Sequence, residues 1–148
     1  MKNFKFQSVG EYTDPQLRTL AIGIKNGDMK SIIISASLMS PFVDGESLLV
    51  PMPSRHGYAT GTLKLANFIS KKTGAEVLNI MKGRTRESFC ELKRKGETVE
   101  DDFFGFYLSG AIPTDKNIII IDNVIATGQT ATNAVRLIPD SSVLVLAS

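Results

Sequence analysis

The chain has 148 residues, enough for one domain with its own core and no need of disulfide or metal staples. Its 43% hydrophobic and 22% charged content is that of an ordinary globular protein, and a net charge of +2 is too small to argue for nucleic acid. One cysteine, Cys90, excludes an internal disulfide and any multi-cysteine zinc site, and no apolar stretch reaches membrane-spanning length. The start, Met1-Lys2-Asn3-Phe4-Lys5-Phe6, lacks the apolar region of a signal peptide, so a cytoplasmic location is expected.

In chain order, Asp14-Pro15 pairs a helix cap with proline at the first helical position and predicts a helix to about Lys25, which Asn26-Gly27 ends. Asp28 can cap a second segment over 29–39. Its Ile32-Ile33-Ile34 run has strand propensity, but the segment is read as helix. Residues 47–50 predict a short buried strand ending at Pro51. Ala59, Leu63, Ala66 and Ile69 trace one helical face, widened by Leu65 and Phe68 and stopped by Gly74. Strands are expected over 75–81, 103–108, 118–121 and 143–146, with a long polar loop over 82–100. This alternation implies an α/β fold with a Rossmann-like parallel sheet flanked by helices. Ligands in such sheets bind at the carboxyl ends of the strands.

Three segments fall at those ends. Ile118-Ile119-Ile120-Ile121 is an apolar strand, followed by Asp122 and Asn123. The turn Ala126-Thr127-Gly128-Gln129-Thr130 comes next, and then an apolar pattern at helical spacing that stops at Pro139. The first N–H groups of a helix lack intrahelical partners and carry the positive end of its dipole. Thr127 and Thr130 add hydroxyls, Gly128 admits close approach, and Asp122 can bind ribose hydroxyls, so the segment reads as a ribose 5-phosphate pocket. The second segment, Val50-Pro51-Met52-Pro53-Ser54-Arg55-His56-Gly57, has the stiffness and the guanidinium of a pyrophosphate loop. Its plainer reading is a rigid turn with a solvated Arg55. The third is the loop over 82–102. Lys82, Arg84, Arg86, Lys93, Arg94 and Lys95 precede the acidic Glu97, Glu100, Asp101 and Asp102. It reads as a solvated charged surface whose basic half can also fold over a pyrophosphate as a lid.

The 118–131 segment resembles the phosphoribosyl pyrophosphate (PRPP) motif of the type I phosphoribosyltransferases. In that motif hydrophobic residues precede two acids and a Thr-Gly phosphate loop. From about residue 20 to 147 the chain is most similar to the ComF-like branch of that family. The similarity includes Ile-Lys-Asn-Gly-Asp at 24–28 and Arg-Thr-Arg-Glu-Ser at 84–88. Asn123 departs from the motif at its second acid, His56-Gly57-Tyr58-Ala59 replaces the branch's Arg-Gly-Phe-Asn, and the branch's N-terminal cysteine cluster is absent.

The resemblance implies transfer of ribose 5-phosphate from PRPP to a nucleophile with release of pyrophosphate, in one domain over 1–148. A small N-terminal hood over 1–45 would recognise the acceptor, and the core would span 46–148 with a flexible loop at 82–102. It implies Asp122 and Arg84 as catalytic residues. Asp122, Asn123, Ala126, Thr127, Gly128, Gln129 and Thr130 would hold the ribose and its 5-phosphate, and Pro53, Ser54, Arg55, Lys82, Arg84 and Arg86 the pyrophosphate. Mg²⁺ would be held by PRPP or water, with Asp122 in indirect contact. Ala126, where 6-oxopurine enzymes carry Asp, argues against hypoxanthine and guanine, and the acceptor stays unidentified. A homodimer is common in the family. The alternative is a catalytically weak PRPP- or nucleotide-binding regulator or adaptor, related to competence proteins and favoured by Asn123. Direct nucleic-acid binding through 82–95 fares worse, because the acids at 97–102 offset its charge and no aromatic platform is interleaved.

Overall fold

The computed structural model describes residues 4–87, 89–97 and 103–148. Five strands form one parallel sheet: β1 (Lys5–Gly10), β2 (Leu48–Pro51), β3 (Glu76–Val77), β6 (Ile118–Val124) and β7 (Ser142–Ala147). Their order is β1-β7-β6-β2-β3. Two further short strands, β4 (Met81–Lys82) and β5 (Tyr107–Leu108), pair antiparallel beside it. The helices are α1 (Pro15–Lys25), α2 (Met29–Met39), α3 (Gly61–Thr73), α4 (Phe89–Arg94) and α5 (Gln129–Leu137), with a 3₁₀ turn at Ser40–Phe42.

The central strands are apolar on both sides, and their alternation divides the core in two. Leu49, Ile119, Ile121, Leu144 and Leu146 face α1, α2 and α3, where Ala21, Ile24, Ile32, Ala36, Leu65 and Ile69 meet them. Val50, Ile118, Ile120, Val143 and Val145 face the other way, onto Ala131, Ala134 and Ile138 around α5 and onto Met81. Each buried Ile, Leu or Val contributes about 1.5–3 kcal/mol, so the two layers hold the sheet from both sides.

Local signals explain the helices. Asp14 accepts hydrogen bonds from the N–H groups of Gln16 and Leu17 at 2.8 and 3.4 Å. Asp28 accepts from the Ser31 N–H at 3.0 Å and its hydroxyl at 2.6 Å, which holds the Asp28 carboxyl below its ordinary range. That cap, together with buried Ile32, Ser35, Ala36 and Met39 at helical spacing, makes α2 a helix despite three consecutive isoleucines. Gly74, at φ 83°, ends α3.

Four expectations need correction. Residues 5–10 form a strand that the sequence reading did not anticipate. It extends the sheet beyond β7, in register from Lys5–Ser142 to Gly10–Ala147. The single strand expected over 75–81 is two, because the chain leaves β2 after Val77 and turns at 78–80 to join β5. Of 103–108 only Tyr107–Leu108 is strand, and the polar loop over 82–100 contains α4, pinned by buried Leu92. Apart from these, within the 1–45 span where a hood is expected, residues 5–39 supply the edge strand β1 and two helices packed on the sheet.

Candidate functional site

The topology creates one crevice. From β2 the chain passes through α3, on one face, to β3 at the sheet's edge; from β6 it passes through α5, on the other face, to β7 on the opposite side. Adjacent strands whose connections diverge leave an opening at their carboxyl ends, and there the loops of open α/β sheets meet ligands. Here that divergence point lies just beyond Pro51 and Ile121, which are register partners, where the Met52 N–H donates to the Ile121 carbonyl at 2.9 Å.

Asp122 and Asn123 lie within β6, not beyond it, so they point to opposite faces of the sheet. Asp122 shares its side with Ile118 and Ile120, on the α5 face. Burial pushes its carboxyl up to about 7, against the opposing pull of the Asn123 N–H (2.8 Å to Oδ1) and of the nearby Arg86 guanidinium. Asn123 turns to the α1 face. Its Nδ2 donates to the Ala21 carbonyl at 3.1 Å, and its Oδ1 accepts the Val124 N–H at 3.0 Å. The amide ties the end of β6 to α1, and an acid at 123 would offer that carbonyl no donor.

Beyond β6, Ile125 is buried while Ala126 and Thr127 are exposed. Gly128, at φ 85°, opens α5 with no side-chain cap of its own. The Thr127 hydroxyl accepts from the Gln129 N–H at 3.3 Å, and Thr132 returns both its N–H and its hydroxyl to the Gly128 carbonyl. Thr130 is half-buried in the first turn. This is a tight turn aimed along a nine-residue helix, with the helix's positive end at the crevice.

The loop after β2 is self-closed. Ser54 donates through its N–H (3.0 Å) and its hydroxyl (2.9 Å) to the Tyr58 carbonyl, and the Gly57 N–H returns to the Ser54 carbonyl. Pro53 is buried and the Met52–Pro53 bond is trans, whereas Arg55 and His56 are exposed. The Thr62 hydroxyl donates to the Met52 carbonyl at 2.6 Å and fixes the loop to α3.

The basic segment docks on this loop. The Gly83 N–H donates to the Gly57 carbonyl (2.8 Å), the Thr85 hydroxyl to the His56 carbonyl (3.2 Å) and the Arg86 N–H to the Arg55 carbonyl (2.8 Å). A Cβ on Gly57 would come within 2.5 Å of the Gly83 carbonyl oxygen, so this close approach requires glycine. On its other side the segment receives residues 103–106, where the Arg84 N–H donates to the Phe104 carbonyl at 3.0 Å.

The basic side chains part company here. Lys82 reaches Asn79 (3.5 Å), Arg84 lies against Gly105, and exposed Lys95 pairs with Glu87 at 3.5 Å. Arg86 interacts electrostatically with Asp122. Its guanidinium lies 4.7 Å from the centroid of Phe104, which is buried, and 5.2 Å from that of Phe103. Burial lowers its affinity for the proton and Asp122 raises it. Its Nε is buried without a hydrogen-bond partner. Phe103 and Phe104, expected in a strand over 103–108, lie instead under the Arg86 guanidinium. Their signal was three phenylalanines at 103, 104 and 106 in a stretch without periodicity. The acids at 100–102 and the side chains of Cys90 and Lys93 lie outside the described residues.

Among the described residues no three His, Cys, Asp or Glu side chains gather to hold a metal ion, and no helix is long and apolar enough to cross a membrane. A shallow cavity of about 610 Å³, lined by Gly10, Glu11, Thr13, Asp14, Leu17 and Leu38, lies at the end of β1, two strands away from Asp122. No family model, curated protein or solved structure matches this chain.

Proposed function

We propose that the chain binds PRPP in the β2–β6 crevice and transfers its ribose 5-phosphate to a nucleophile, releasing pyrophosphate. The observation that carries this reading is the convergence of Asp122, the Gly128 turn and the Arg86-bearing segment on one divergence point of a parallel sheet. In this arrangement the turn at 126–130 receives the 5-phosphate, and Asp122 the ribose hydroxyls. The 53–57 loop with Arg86 receives the pyrophosphate, and Arg84 stands at the outer side of that subsite. The C1–oxygen bond breaks with its electron pair leaving on pyrophosphate, while the acceptor's lone pair forms the new bond to C1. Fixing the ribose at both ends orders that displacement, and guanidinium charge offsets the charge gained by the leaving group.

A single carboxylate suits Mg²⁺ only as an ion carried by the ligand, since Mg²⁺ keeps several waters and takes one or two carboxylates plus phosphate oxygens. Bound in that way it would add positive charge to the departing pyrophosphate.

The commitment of Asn123 to Ala21 favours a second reading, in which the crevice binds PRPP or a nucleotide for regulation, because only one acid faces the ligand. Calorimetric titration of PRPP with and without Mg²⁺, with Asp122→Ala as control, tests the site itself. Saturable binding lost in the control is expected, and no binding under any condition overturns both readings. Pyrophosphate release across a panel of nucleophiles then separates enzyme from regulator.

A further inference from the structure

The Arg86 guanidinium is held firmly but left incomplete. Nη1 donates to the Glu87 carbonyl at 3.3 Å, and the rings of Phe104 and Phe103 lie 4.7 and 5.2 Å away. Stacking on these rings fixes the plane of the fork and with it the direction of each N–H. Nε is buried and has no hydrogen-bond partner. Folded proteins rarely leave a buried donor in that condition, and where they do a ligand or water commonly completes it. Asp122 acts on this guanidinium electrostatically, yet among the described residues no hydrogen bond joins the two. Of the Asp122 carboxyl, Oδ1 takes the Asn123 N–H at 2.8 Å and Oδ2 takes no bond from a described residue. A donor and an acceptor therefore stand near each other with nothing between them. The neighbouring Asn123 cannot serve there, since it is turned to the α1 face and tied to Ala21.

We propose that Arg86 Nε stands in for the second acid that Asn123 replaces: one ribose hydroxyl accepts from Nε and donates to Asp122, which makes Arg86 the residue that selects ribose over its deoxy forms. This rests on the PRPP reading of the crevice. The chemistry of the two groups names the hydroxyl. A group that bridges Nε–H and an ionised carboxylate must accept one hydrogen bond and donate another, which a hydroxyl does. A phosphate oxygen without a proton can accept from Nε, but it would set its charge against the carboxylate. The other N–H groups of the fork remain for the pyrophosphate.

Two uncharged variants isolate the Nε–H. Glutamine carries its amide nitrogen as many bonds from the backbone as Nε, and methionine carries a methyl group there. Arg86→Gln thus keeps a donor at that place and Arg86→Met does not, while both lose the charge. Calorimetric titration of ribose 5-phosphate and of its 2-deoxy and 3-deoxy forms is run at pH 8, where the Asp122 carboxyl, raised to about 7, is mostly ionised. Circular dichroism checks that each variant is folded. The wild type is expected to bind ribose 5-phosphate about thirtyfold more tightly than the deoxy form lacking the bridging hydroxyl. Arg86→Gln is expected to bind all three sugars more weakly and to keep most of that ratio, and Arg86→Met to reduce it to about threefold, the part owed to Asp122. Equal ratios in the two variants overturn the proposal, since a guanidinium acting only through charge or packing moves every sugar alike. Binding by the wild type without discrimination also overturns it, leaves the PRPP reading in place and assigns Nε to a water. No binding of any sugar phosphate overturns that reading and this proposal together.

Discussion

The two faces of the sheet are built differently. One is closed by α1, α2 and α3 with regular apolar contacts. The other carries α5 alone as a full helix and is completed by short strands, turns and the segments 83–87 and 103–106. Asp122 and Asn123, neighbours in sequence, sample one face each, and their chemistry follows the face. On the regular side an amide is consumed in joining β6 to α1. On the irregular side a half-buried carboxyl, raised by burial, stands beside a guanidinium held on aromatic rings. Reactive potential collects where backbone regularity breaks down, because only there can loops bring charged groups over a strand end.

The largest effect in this comparison belongs to the regular face. Ile121→Ala opens a cavity against three packed helices and is expected to cost about 3–4 kcal/mol by denaturant unfolding. Ile120→Ala, equally buried but facing the smaller α5 layer, is expected to cost about 1 kcal/mol less, because a thinner cover relaxes more readily into the gap. Equal costs would mean that the two layers are equally rigid.

Asn123→Asp sharpens the contrast between neighbouring residues. The PRPP motif alone suggests that an acid at 123 would tighten Mg²⁺–PRPP binding. The geometry predicts otherwise, since the exchange removes the donor to Ala21 and sets a carboxylate against a carbonyl. Stability is expected to fall by about 2 kcal/mol, with no gain in PRPP affinity by calorimetry. Tighter binding at unchanged stability would place Asn123 at the ligand.

Those two residues also show how far the sequence could be read. The strands at 48–51, 118–124 and 142–147 and the helices α1, α2, α3 and α5 were legible, since each carries its own cap, stop or buried run. β1 was missed because Lys5, Gln7 and Ser8 leave it with no apolar run, and only its partner β7 makes it a strand. The 78–108 region was misjudged because its order comes from contacts with residues 54–58, distant in sequence, and such pairings have no local signature. Of the three candidate segments, 50–57 and 122–131 follow strands of the parallel sheet, whereas 82–102 follows β4 of the separate antiparallel pair. The singling-out of Arg86 from six basic residues was not legible, because it depends on where Phe103 and Phe104 come to rest.

Arg86→Ala tests the irregular face. Removing the guanidinium is expected to cost about 1 kcal/mol of stability, through lost stacking on Phe103 and Phe104. It is also expected to weaken PRPP binding by tenfold or more, about 1.4 kcal/mol. Arg84→Ala, at the outer edge of the same segment, is expected to weaken binding less. The reverse ranking would show that the ligand is met by the exposed guanidinium and that the aromatic platform serves packing alone.

The pH dependence of Asp122 tests the same face in another way. Its carboxyl titrates near 7 in the fold and near the ordinary 3.8 in the unfolded chain, so between those values the folded state holds the extra proton. Stability from this group is therefore complete below about 3.8 and is lost as pH rises through about 7, where a buried charge must be carried. Asp122→Asn is expected to be more stable than the wild type at pH 8, and the difference should shrink steadily toward pH 4. PRPP affinity runs the opposite way, because the ribose hydroxyls need the ionised carboxylate. Between pH 6 and 8 it should rise in the wild type more than in Asp122→Asn, a subtraction that removes the ligand's own titration. If Arg86 is deleted as well, the carboxyl loses its neighbouring positive charge and the rise should move to still higher pH. A profile unmoved by Arg86→Ala would separate the two groups and leave the Asn123 N–H as the pull that opposes burial at this carboxyl.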